Sequence, residues 1–277
     1  PKFSHKKPEY LIIFCHGNGC DLGSIHSTLN EFSQHLNFYV ISFEYPSYVL
    51  CTGQSPNQQT VDNHAYRTIN FVLHYLKWPI ERIILFGHSI GSGSACYLAS
   101  TMRSIGALIL QSPYTSVDSL VHEKVGIFSS FVDCRSWNNL ETMKYIKCPI
   151  LFIHGLNDRL IPPKHSRYLY DACSNDQANK LILLRYEDHN SMTDSTLLKY
   201  IKPFIENRLQ SITKDISLPV IKFDSHLCQY SPCAVKDQAI DSHRNDMVNS
   251  LQKKYKASAA SMPISSRKVH DTPIHRN

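Results

Sequence analysis

Leu85-Phe86-Gly87-His88-Ser89-Ile90-Gly91-Ser92-Gly93 follows directly on the apolar pair Ile83-Ile84 and runs into Ser94 to Met102, a stretch rich in small residues. The reading is a buried strand, a sharp turn and a helix, with Ser89 at the turn. Gly87 and Gly91 stand two residues either side of the serine, where a Cβ would obstruct a reversing backbone. Such a turn exposes the hydroxyl and leaves the first N–H groups of the helix without partners. Gly-x-Ser-x-Gly alone is a weak signal, since a glycine-rich turn often does no more than reverse the chain; between a strand and a helix it points to a nucleophilic serine.

Working outward, the chain before the elbow opens with an apolar strand, Tyr10 to Phe14, leading into His16-Gly17-Asn18-Gly19. In that position the loop can supply one N–H of an oxyanion hole, while the residue after the nucleophile supplies the other. The candidate donors are the backbone amides of Asn18 and Ile90. Leu22, Ile25, Leu29, Phe32 and Leu36 have helical spacing, Phe38 to Phe43 reads as a second strand, and Pro56 to Leu76 reads as a helix.

After the elbow, apolar runs recur at Ala107 to Leu110, Ile150 to Ile153 and Leu181 to Leu184, with a final helix over Thr196 to Arg208. The fifth run leads to Asp158 and the sixth to His189. Asp158 has a second reading as a cap for a helix over Pro162 to Ala172. The order serine, acid, histidine, each just past a strand end, is that of an α/β-hydrolase triad. Residues 118–147 break the alternation without a clean period, so they are expected to form a cap-like insertion over the serine or additional core.

Composition bounds the rest. A chain of 277 residues with 42% hydrophobic content can bury one large core. The net charge is +6, and residues from Arg208 onward hold eleven Lys or Arg against six Asp or Glu. The domain proper is therefore near neutral, which argues against a nucleic-acid partner. The basic 213–277 tail reads as disordered, either simply solvated or assisting peripheral association with anionic lipid. Ile216 to Phe223 is the one stretch of the tail apolar enough to dock. No run approaches a membrane span, no signal peptide is evident, and nine scattered cysteines read as reduced thiols, so a cytoplasmic protein is expected. No metal site and no phosphate-binding motif is found, and no cofactor is expected.

Five segments together resemble the α/β-hydrolase-domain-17 subgroup of serine hydrolases: residues 14–23, 87–93 and 111–116, His154-Gly155 with Asp158, and His189-Asn190. The likeness spans residues 10 to 207. It implies an α/β-hydrolase fold, a mostly parallel sheet flanked by helices over residues 1–212. It further implies Ser89 as nucleophile, Asp158 as acid, His189 as base, and palmitoyl-protein thioester hydrolysis at the cytosolic face of membranes. There are three departures from the family pattern. Only nine residues precede Tyr10, so the family's N-terminal strands are expected to be missing, through truncation or with one sheet edge uncovered. The acylated N-terminal cysteine cluster has no counterpart, and Asp188 stands where a glycine is usual. The expected substrates are an acylated protein or a lipid ester. The alternatives are a small-ester, monoacylglycerol or lysophospholipid esterase, and a non-catalytic scaffold of the same fold.

Overall fold

The computed structural model describes residues 7–48, 51–125, 136–173, 178–209 and 218–221. Residues 222–277 lie outside the described residues, as does almost all of the expected 213–277 tail.

Among the described residues, six strands make one sheet: β1 (Leu11–Cys15), β2 (Tyr39–Ser42), β3 (Ile83–His88), β4 (Ala107–Gln111), β5 (Ile150–Gly155) and β6 (Lys180–Leu184). Their order is β2-β1-β3-β4-β5-β6 and every pairing is parallel. Parallel strands covered on both faces need apolar side chains in both directions, hence the unbroken runs Leu-Ile-Ile-Phe-Cys and Ala-Leu-Ile-Leu. The period of two still sorts them. Leu11, Ile13 and Cys15 enter one core cluster, while Ile12 and Phe14 enter the other.

Among the described residues, seven α-helices cover the faces. α1 (His26–Leu36) and α7 (Asp194–Leu209) pack on one side through Phe32, Leu197, Ile201 and Phe204. On the other lie α2 (Gln58–Asn70), α3 (Gly91–Thr101), α5 (Asn139–Met143) and α6 (Lys164–Asp171), contributing Val61, Ala65, Ala95, Met143 and Leu169. α4 (Val117–Val125) adds Val117 and Leu120 to the same cluster.

Several expectations shift. The helix read over Pro56 to Leu76 begins after Asn57, whose side chain and that of Thr60 form a reciprocal capping box, and it passes into a π-helical turn at Phe71–Tyr75. The stretch 118–147 holds α4 and α5, whose lengths of 9 and 5 residues are too short to declare a period, and residues 126–135 of it lie outside the described residues. Of Ile216 to Phe223, only residues 218–221 are described, with Leu218 and Ile221 packed on the core. β2 and β6 are the outer strands among the described residues, and β1 is paired on both sides. No helix among the described residues is long and apolar enough to cross a membrane.

Candidate active site

Every group proposed from the sequence comes from the carboxyl end of a parallel strand, where crossovers leave a crevice. At the end of β3 the backbone of Ser89 takes φ +53°, a left-handed conformation costly for any side chain. The flanking glycines explain how the turn tolerates it. A Cβ on Gly87 would stand 2.7 Å from the Cα of Ser92, and one on Gly91 would overlap the carbonyl of Cys15 at the end of β1. The N–H of Ser89 donates to Gln111 O at 2.9 Å, which ties the elbow to β4.

The serine hydroxyl donates to His189 Nε2 at 3.0 Å, and His189 Nδ1 donates to Asp158 Oδ2 at 2.7 Å. All three side chains are buried. Residues separated by 69 and 31 positions thus form one hydrogen-bonded chain. Asp158 does not cap α6. Its Oδ1 accepts from the N–H groups of Leu160 (2.9 Å) and Ile161 (2.8 Å), closing the turn after β5 around its own carboxylate. Burial pushes this carboxyl up. The hydrogen bonds from His154, His189 and the Ile161 amide outweigh that and hold it well below the usual carboxylate range.

His154 has no role assignable from sequence. Its Nδ1 meets Ser166 Oγ at 2.6 Å, and its Nε2 lies 2.8 Å from Ile161 O and 3.2 Å from Asp158 Oδ2. With the Ser166 hydroxyl donating to Nδ1, the Nε2 N–H faces both oxygens. That makes His154 a fourth donor around Asp158. His88 is also unforeseen. It is half-buried, stacks on His189 with ring centroids 5.7 Å apart, and hydrogen-bonds to the backbone of His189. Burial and the neighbouring His189 lower its pKa to about 4, so an uncharged ring supports the triad histidine.

Asp188 replaces the usual glycine without strain, as it is absent from the positive-φ positions among the described residues. Its Oδ1 instead accepts from the N–H groups of Asn190 and Ser191, both at 2.8 Å, and so fixes the turn that presents His189.

Asn18 and Ile90 line a common cavity of about 280 Å³ with Tyr45, Tyr48, Val61 and Trp137. Ile90 is the N-cap of α3, so its amide belongs to the donors that a helix leaves unpaired. The loop bearing Asn18 is pinned from behind. Tyr45 stacks on His16 at 3.9 Å and donates to His16 O at 2.6 Å, and Tyr48 donates to Asn18 Oδ1. Rival nucleophiles are otherwise engaged: Ser92 Oγ donates to Ser89 O, Ser94 Oγ donates to Asp62, and burial pushes the Cys96 thiol far up.

The chain is 33% identical over 169 residues to alpha/beta hydrolase domain-containing protein aho-3 of Caenorhabditis elegans, covering 60% of this chain and 48% of that one. It is 28% identical over 212 residues to alpha/beta hydrolase domain-containing protein 17C of Xenopus tropicalis, covering 73% and 63% respectively. This chain therefore spans between about half and two thirds of those relatives. Among solved structures, the Pyrococcus furiosus esterase Pf2001 superposes with a TM-score of 0.60 at 18% identity, covering 73% of this chain and 84% of that one, a likeness of fold. Residues 14–189, running from the end of β1 to His189 and holding all five candidate positions, match the family described as serine hydrolase (FSH1). The chain belongs to that FSH1 serine hydrolase family.

Proposed function

We propose that the protein hydrolyses acyl thioesters or esters through an acyl-enzyme on Ser89, with the thioester of a palmitoylated protein as the substrate class. The observation that carries this reading is the chain Ser89 Oγ, His189, Asp158, at 3.0 and 2.7 Å, ending on a serine in left-handed backbone. His189 Nε2 takes the hydroxyl proton as Oγ attacks the carbonyl carbon, and the carbonyl π electrons move to oxygen. The amides of Asn18 and Ile90 hold that oxyanion. As the tetrahedral centre collapses, the imidazolium returns the proton to the departing sulfur or oxygen. A water then attacks the acyl-enzyme by the same path, giving up its proton to His189 and releasing the acid and free Ser89. Asp158 stays ionised throughout and stabilises the imidazolium. Its depressed pKa supports that role. Removing one oxyanion donor from such a site costs about 2.7 to 4 kcal/mol.

The palmitoyl-protein assignment is supported by the resemblance of the five sequence segments to the domain-17 subgroup. A second reading, hydrolysis of short-chain or other small esters, is favoured by the wall of the cavity that Asn18 and Ile90 line, where Trp137 closes on Gly93.

The test is labelling of the purified chain by a fluorophosphonate probe, with Ser89→Ala as control, followed by turnover of a palmitoylated peptide and of a soluble short-chain ester. The expected result is labelling that disappears in the variant and release of palmitate from the peptide. A folded chain that takes no probe would establish the non-catalytic scaffold instead.

A further inference from the structure

The cavity beside the elbow has an unusual wall. Trp137 stands on the face of Gly93, so closely that a Cβ there would overlap its indole. Gly93 lies in the first turn of α3, the helix that begins two residues after Ser89. The indole thus stands over the start of that helix, in the cavity that Asn18 and Ile90 also line.

Its position is built rather than incidental. Trp137 has backbone φ +39°, its N–H donates to Gln58 Oε1 at 2.8 Å, and its Nε1–H donates to Asp62 Oδ1 at 2.9 Å. Asp62 lies on α2, 94% removed from solvent, and also accepts from Ser94 Oγ at 2.8 Å. A buried carboxylate is a costly way to hold a side chain unless its position matters. The donors to Asp62 are Trp137, Ser94 and Gln58, none of them a catalytic group.

We propose that Trp137 is the residue that limits acyl-chain length, and that Asp62 is a positioning residue that locks it there. This rests on the acyl-hydrolase reading above and sharpens its small-ester form; release of palmitate by the wild-type chain requires the indole to leave Gly93. With the indole seated on Gly93, the cavity accepts a short acyl group beside the oxyanion amides. A longer chain extends past that point only when the ring is absent or displaced.

The experiment measures kcat/KM for p-nitrophenyl butanoate and p-nitrophenyl dodecanoate, with fluorophosphonate labelling of Ser89 in each preparation to establish an intact triad. Trp137→Ala is expected to move the dodecanoate-to-butanoate ratio upward about tenfold or more, since each methylene admitted to an apolar pocket is worth a factor of that order. Asp62→Ala moves the ratio in the same direction. Asp62→Asn, which keeps an acceptor oxygen for the indole, retains most of the wild-type ratio, a rescue that loss of packing alone would not give. Trp137→Phe guards against misfolding of the alanine variant, and its ratio falls between wild type and Trp137→Ala. If the labelled variants keep the wild-type ratio, the proposal is overturned while the hydrolase reading stands. A wild-type chain that is folded yet takes no probe removes both.

Discussion

Two buried aspartates of this protein are displaced in opposite directions, and each displacement has a measurable consequence. Burial drives the carboxyl of Asp62 up to about 6, against the hydrogen bonds from Trp137, Ser94 and Gln58. An acid whose folded pKa lies above its unfolded value of about 3.9 binds its proton more tightly in the folded chain, so stability falls as pH rises from about 4 through 6. The loss is about 3 kcal/mol. In denaturant titrations at pH 4 and pH 7, the unfolding free energy of Asp62→Asn relative to wild type should therefore improve by about that amount at the higher pH. A difference that stays constant would mean that the burial of Asp62 carries no charge penalty. Asp158 behaves inversely: its depressed carboxyl adds stability that is present above the unfolded pKa and drains away as pH falls below about 4. Replacing it by Asn leaves the geometry but loses the imidazolium's counter-charge, and kcat should drop by about 10⁴. Single-turnover acylation would read this directly. The triad itself was legible, because glycine spacing marks Ser89 and strand ends mark Asp158 and His189. His154 and Trp137 were not: periodicity reports which face is buried, whereas their partners Asp158 and Asp62 are defined by contacts that only the folded chain makes.

At the level of elements, the elbow is a junction between β3, α3 and the end of β1. The Cβ of Gly91→Ala would meet backbone of Cys15 and His16, which cannot swing aside as a flexible side chain can. The substitution should destabilise the chain by about 1 to 3 kcal/mol and abolish probe labelling even where the fold survives, because β3 and α3 must separate to admit it. Thermal melts and labelling, run side by side, check this; a labelled Gly91→Ala chain would show that the junction has slack. The six strands were readable because burial on both faces leaves continuous apolar runs, as in Leu11–Cys15 and Ala107–Gln111. The π-helical turn at Phe71–Tyr75 leaves no comparable mark, since a single wide turn hardly changes which residues face the core. Asp188 fixes the turn that presents His189 through its own side chain, its carboxylate accepting from the amides of Asn190 and Ser191.

Across the whole molecule, the triad is assembled from strands of unequal burial. Ser89 follows β3, central in the sheet and buried through Ile83–Gly87, whereas His189 follows β6, an outer strand whose residues Lys180–Ile182 remain partly or fully exposed. An outer strand with one hydrogen-bonded neighbour and little apolar burial is where local opening costs least. Detaching β6 and its following loop would remove His189 from Ser89 while leaving β1, β3 and β4 intact, so the site should fail before the fold does. In a urea titration followed by both fluorophosphonate labelling and far-ultraviolet circular dichroism, the labelling midpoint is expected at lower urea than the dichroism midpoint. Coincident midpoints would instead make the entire sheet one cooperative unit. In that case, the buried hydrogen bonds of His189 to Asp158 and Ser89 would be strong enough to bind the edge to the centre.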